Sequence, residues 1–153
     1  PRMWQALVPA AQTLKIKLVK IDVGRPSDTA LPAAFETAVR EKAGAVLVLP
    51  DEPMFLIRRA TIVALAAGHG LPAFYGAREF VDDGGLMSYG ENLRAAYRHA
   101  AAYIDQVARG ANPGELPVQQ PTRFELVINM KTARSLSIAI PRPMLLRADE
   151  VVE

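Results

Sequence analysis

The chain has 153 residues, half of them hydrophobic and 22% charged, with no cysteine and a net charge of +2. This is the composition of one globular domain able to bury a core, and it excludes disulfides, thiolate metal sites and a cysteine nucleophile. The basic residues are scattered, with Arg58-Arg59 the one doublet, so no nucleic-acid partner is expected.

Residues 2–14 place Met3, Leu7, Ala11 and Leu14 at helical spacing, and Pro9 is expected to break or kink that helix. Residues 15–23 alternate through Ile16 and Leu18, then Val19, Ile21 and Val23. They predict a strand, with the slip in phase marking a bulge or burial on both faces. Residues 24–28 make a loop at its carboxyl end. A helix then begins near Pro32, with Leu31, Phe35, Ala38 and Val39 as its buried stripe, an outward Glu36–Arg40 ion pair, and Gly44 to end it. Residues 45–49 are a continuous apolar run of strand length, followed by Pro50-Asp51-Glu52-Pro53. A helix over about 54–67 has Ile57, Ala60, Ile62, Ala64 and Leu65 as core candidates.

Residues 71–90, LPAFYGAREFVDDGGLMSYG, organise the rest. Ala73, Phe74 and Tyr75 read as a buried parallel strand that stops at Gly76. A compact Ala77-Arg78-Glu79-Phe80 follows, then a turn at Asp82-Asp83-Gly84-Gly85, then an extended Leu86-Met87-Ser88-Tyr89 ending at Gly90. The longest helix covers 91–109, with Leu93, Tyr97, Ala100, Ile104 and Val107 on one face. Residues 111–121 are a linker, and 124–129 alternate as a strand. Asn129 suits the N-cap of a short helix through Leu136, and Pro141 and Pro143 punctuate a tail. Strand–helix alternation of this kind predicts an α/β domain with a mainly parallel sheet flanked by helices.

In such a sheet ligands sit beyond the carboxyl ends of the strands. That rule selects Asp51, Tyr75, Gly76, Arg78, Glu79, Phe80 and Tyr89 as candidate ligand-binding residues. Each has a plainer role. Asp51 caps a helix as readily as it meets a donor, Arg78 and Glu79 can pair with each other, and Tyr75 and Phe80 can be core. The expected arrangement sets the strand ends at Val23, Leu49 and Tyr75 side by side, with Asp51 and Glu79 facing a common groove. No metal or cofactor is expected. His69 and His99 lack a carboxylate at ligand spacing, Gly84-Gly85 is not a dinucleotide fingerprint, and Ser88 in M-S-Y-G is not a hydrolase elbow. No nucleophile–base–orienter set is visible, so the chain does not read as an enzyme.

The pieces FYGAREF, GGLMSYG, LPVQQPTRFELVINMKTARSLSIAIP and LLRADEVVE, in this order, resemble the second half of the ABC-transporter substrate-binding proteins often described as tryptophan- or urea-type. These have the type I periplasmic-binding fold. The likeness is strongest from residue 47 to the C-terminus. It implies that 1–153 form the C-terminal lobe of a two-lobed receptor, with 91–116 packing on an N-terminal lobe outside this chain. It implies closure around a small molecule, an amino acid being the natural candidate, and delivery to an ABC permease. The hinge would lie at 86–90 and 117–125, which makes hinge packing the rival role for Tyr89. It also implies a periplasmic or extracytoplasmic location. A ligand-sensing regulatory domain of the same fold is the alternative, and a flavodoxin-like or Rossmann-like enzyme domain a remoter one. With the stripe of 91–109 deprived of its lobe, the chain is expected to self-associate as a two-fold homodimer.

Overall fold

A computed structural model describes residues 2–24, 27, 29–49, 53–118 and 123–153. Among them, five strands form one sheet in the order β1 (Val46–Val48), β2 (Ala73–Tyr75), β3 (Met87–Glu91), β4 (Phe124–Asn129) and β5 (Glu150–Val152). The pairings are parallel except β3 with β4. The α/β class with a mainly parallel, helix-flanked sheet is therefore the observed one.

The expected strand at 15–23 is absent. Helix α1 (Arg2–Thr13) ends with Lys15 at φ 56°, where the amide of Ile16 returns to the carbonyl of Ala11 at 2.9 Å. The segment beyond it joins no ladder; Ile21 and Val23 lean on the core while Ile16 stays 56% exposed. The slip in phase leaves this run no single apolar face to bury. Nor does Pro9 end α1, which continues through it. Pro9 is exposed, and its missing N–H removes only one bond of the ladder.

Helix α2 (Ala30–Arg40) buries Leu31, Phe35 and Ala38, a spacing of four and three that keeps one face. Val39, expected in that stripe, lies 46% exposed, one residue and about 100° round from Ala38. Lys42, at φ 56°, closes the helix in place of Gly44, and Arg40 donates to the Thr37 hydroxyl at 3.0 Å where a pair with Glu36 was expected. The single helix expected over 54–67 is two, α3 (Pro53–Ile57) and α4 (Arg59–Gly68), broken at Arg58. That break resets the phase. Ile62, Val63 and Ala66 become the buried face, while Ile57, Ala60 and Ala64 point outward.

Helices α2 and α4 cover one face of the sheet, together with the one-turn helix α5 (Glu79–Asp82). Their core runs from Leu31 and Phe35 through Ile62 and Ala73 to Tyr75 and Phe80. β4 is an internal strand, paired on both sides, and Val127 and Ile128 are wholly buried. Asn129 ends it and caps α7 (Met130–Ser135) as expected, accepting from the Thr132 amide at 2.9 Å. The tail beyond Pro141 is structured: α8 (Arg142–Leu145) leads into β5. Helix α6 (Leu93–Ala108) stands apart, with no buried residue.

Candidate functional site

β1 and β2 lie side by side and parallel, so their carboxyl ends share an edge with that of β3. The turn from β2 into α5 sits on that edge and carries most of the candidate residues. Asp51 lies outside the described residues.

Tyr75 and Phe80 are inside the core. Tyr75 is 1% exposed and stacks on Phe80 with ring centroids 4.6 Å apart and planes 11° from parallel. Burial pushes the Tyr75 phenol up to about 12, because the phenolate would have to leave water. Gly85 makes room for this stack, since a Cβ there would meet Tyr75 Cε2 at 2.6 Å and the Phe80 carbonyl oxygen at 2.7 Å. Gly76 is a contact of another kind. A Cβ on Gly90 would run into the Gly76 carbonyl oxygen, so β3 lies against the β2 turn backbone to backbone.

Strand alternation decides which side chains meet. Tyr75, Ser88, Val127 and Glu150 are successive register partners across β2 to β5 and share one face of the sheet. Glu125, two residues before Val127, is on that face too. Arg78 reaches across it and gathers three carboxylates. Nη1 donates to Glu150 at 2.9 Å and faces Glu125 at 3.7 Å; Nη2 donates to Glu150 at 3.2 Å and to Asp82 at 3.3 Å. The bonds to Glu150 and then Asp82 hold the guanidinium well above the usual arginine range. Glu125 also accepts from Asn92 Nδ2 at 2.8 Å, and Asn92 Oδ1 caps α6 by accepting from the Ala95 amide at 2.9 Å. The plainer role in which Arg78 pairs with Glu79 is not the observed one. Glu79 Oε2 is sealed from solvent with no hydrogen-bond partner among the described residues, as is the hydroxyl of Ser88.

Tyr89 points the other way. It pairs with Leu126 on the opposite face from Glu125, is 53% exposed, and stacks on Phe124 at 5.8 Å. The candidates thus separate into a core pair (Tyr75, Phe80), an edge turn (Gly76, Arg78, Glu79) and an exposed aromatic pair across the sheet. Sequence reasoning missed Glu125 and Glu150. In the sequence they are a polar position of an alternating strand and a carboxylate in a tail, and nothing marks either as a partner of Arg78. The Asp82-Asp83 doublet stays exposed and is divided between cations: Asp83 takes Arg59 at 3.0 Å and Asp82 takes Arg78.

The family profile described as "ABC transporter substrate binding protein" matches residues 3–152. The chain belongs to that family. It is a family of substrate-binding proteins, not of enzymes. The fold is shared with solved structures, among them a conserved domain protein from Vibrio cholerae, 25% identical with a TM-score of 0.81 over 98% of this chain and 49% of that one. Another is the ABC domain from Streptococcus pneumoniae in complex with L-Trp, 25% identical with a TM-score of 0.84 over 99% of this chain and 50% of that one. A third is the ligand-free, open substrate binding protein with adhesive properties from Clostridium difficile, 16% identical, TM-score 0.63, over 97% of this chain and 48% of that one. The chain therefore spans about half the length of each of these three structures. No curated protein matches it.

Proposed function

We propose that this chain is the C-terminal lobe of the solute-binding component of an ABC import system, working outside the cytoplasm with an ABC permease. The family profile running over residues 3–152 carries that reading. The solute is a small molecule with a cationic group, and an amino acid is the class proposed. The edge around the β2–α5 turn supports this. Asp82, Glu125 and Glu150 gather there around the one guanidinium of Arg78, more carboxylates than that cation neutralises, with Glu79 in the same turn. An ammonium group is the complement of such an edge. The L-Trp bound by the Streptococcus pneumoniae domain is a molecule of this class.

In this reading Gly76 and Glu79 contact the solute from the edge turn, and Asp51, chosen on the sequence alone, is proposed as a further contact. Tyr75 and Phe80 back them from the core, and Tyr89 lines the crossover where β3 leaves the lobe. The solute touches both lobes and stabilises the shut form by its differential affinity. Helix α6 packs on the N-terminal lobe. Alone, the chain pairs through α6 as a two-fold dimer. Tyr97, Ile104 and Val107, exposed by 74%, 69% and 40%, make an apolar face that water covers poorly.

A thermal-shift screen of the two-lobed protein against amino acids, nucleobases and ureas tests the reading. An amino acid that raises the unfolding midpoint without being consumed is the expected result, because a ligand of the folded form alone must stabilise it. Turnover of any compound, or no shift across the panel, would overturn it.

A further inference from the structure

A guanidinium has five N–H donors, and at Arg78 three of them make hydrogen bonds within the protein. These three terminal ones bond to Glu150 twice and to Asp82 once, Nη1 also faces Glu125 at 3.7 Å, and the Nε donor is sealed from solvent without a partner among the described residues. The hydrogen bonds that Arg78 makes are thus all to the protein's own carboxylates. What Arg78 does hold is architecture. Its bidentate bond to Glu150 joins positions 72 residues apart in the chain, from the start of α5 to the first residue of the three-residue β5. Through Glu125 the same guanidinium reaches Asn92, and so the N-cap of α6. The rest of the turn is held by packing and one further ion pair: Phe80 and Val81 are buried, and Arg59 takes Asp83 at 3.0 Å. Helix α5 is four residues long, has no side-chain cap, and rests on the Tyr75–Phe80 stack and the Gly76–Gly90 contact.

We propose that Arg78 is a positioning residue, which sets solute affinity by clamping the β2–α5 turn to β4 and β5 through Glu125 and Glu150 without touching the solute. The proposal rests on the solute-binding reading above. A turn clamped before the solute arrives does not have to be ordered by it, and that ordering cost is otherwise taken from the affinity.

The decisive experiment is a charge exchange in the two-lobed protein, read by calorimetric titration with L-tryptophan and the other amino acids of the screen. Arg78→Glu should weaken binding by about tenfold or more, the scale on which residues away from a ligand alter its affinity. Adding Glu150→Arg should restore it to within about threefold, since the pair is rebuilt with its polarity reversed. A residue that met the solute directly would not be rescued this way, so a double variant as weak as Arg78→Glu overturns the inference while leaving the solute reading standing. Arg78→Lys covers the case in which the exchange fails to fold. It keeps the charge, loses the fork, and should weaken binding while the urea midpoint of the ligand-free protein stays near wild type. A lowered midpoint with unchanged affinity would make the clamp merely structural and overturn the inference. Failure of the wild-type protein to bind any amino acid overturns the solute reading and the inference with it.

Discussion

The face of the sheet under α2, α4 and α5 and the helix α6 both present apolar side chains, with opposite fates. Tyr75, Ile62 and Leu31 are 1–2% exposed, each enclosed by side chains from more than one element. On α6, Tyr97 and Ile104 occupy one stripe at the spacing of a buried face and yet are about 70% exposed, and the helix buries nothing. Its periodicity is as regular as that of α2. What differs is the presence of a partner surface. An apolar stripe is a requirement for burial, and whether it is met depends on what the chain brings opposite it.

The contrast breaks most visibly in the core. Tyr75→Ala should destabilise the chain by about 3–5 kcal/mol, the range for truncating a large buried aromatic, measured by urea unfolding. A change below 1 kcal/mol would mean that Tyr75 is not part of the packed face. The same ring gives the core a pH dependence. Its folded-state value lies near 12 against an ordinary 10.0, so the unfolded chain loses this proton first. Stability from Tyr75 is then fully present below pH 10 and falls as pH rises toward 12. Urea midpoints across that window should drop less in Tyr75→Phe than in the wild type, and equal slopes would contradict the burial.

The two regions can also be compared with one chemistry. Asn129 and Asn92 make the same cap, each Oδ1 accepting from an amide three residues on at 2.9 Å. Asn129 is 6% exposed at the end of the internal strand β4 and Asn92 is half-buried at the start of α6. Asn129→Ala should cost about 2 kcal/mol and Asn92→Ala about 1 kcal/mol or less. Equal costs would indicate that α6 is packed as firmly as the core. The smallest effect on stability belongs to Ile104→Ala, within about 0.5 kcal/mol, as for an exposed substitution. The same change should shift the chain toward monomer in sedimentation experiments. If the wild type already sediments as a monomer, α6 is not a contact between copies.

Local chemistry carried much of this structure. The apolar run at 45–49, the strand ending at Tyr75, the Asp82–Gly85 turn and the Asn129 cap follow from side-chain periodicity, glycine's freedom at positive φ and a side-chain oxygen within reach of an amide. The misreadings have a common cause. The break at Arg58 rotated the apolar face of α4, and the slip at Leu18-Val19 left 15–23 outside the ladder. The tail after Pro141 became β5 because β4 offered it an edge. None of these turns on a residue's own propensity.

The sequence by itself determined the α/β class and the carboxyl-edge address of the β2–α5 turn, because both depend on patterns within ten or twenty residues. Its motifs also carried the likeness to substrate-binding proteins. Only the tertiary structure decided what each candidate side chain does there. Strand register set Glu125 and Glu150 on the face of Tyr75 and sent Tyr89 to the other, and it brought Arg78 to a carboxylate 72 residues away. Pairing between distant strands fixes which faces meet, and a period of two residues along a strand cannot say which neighbour will lie beside it.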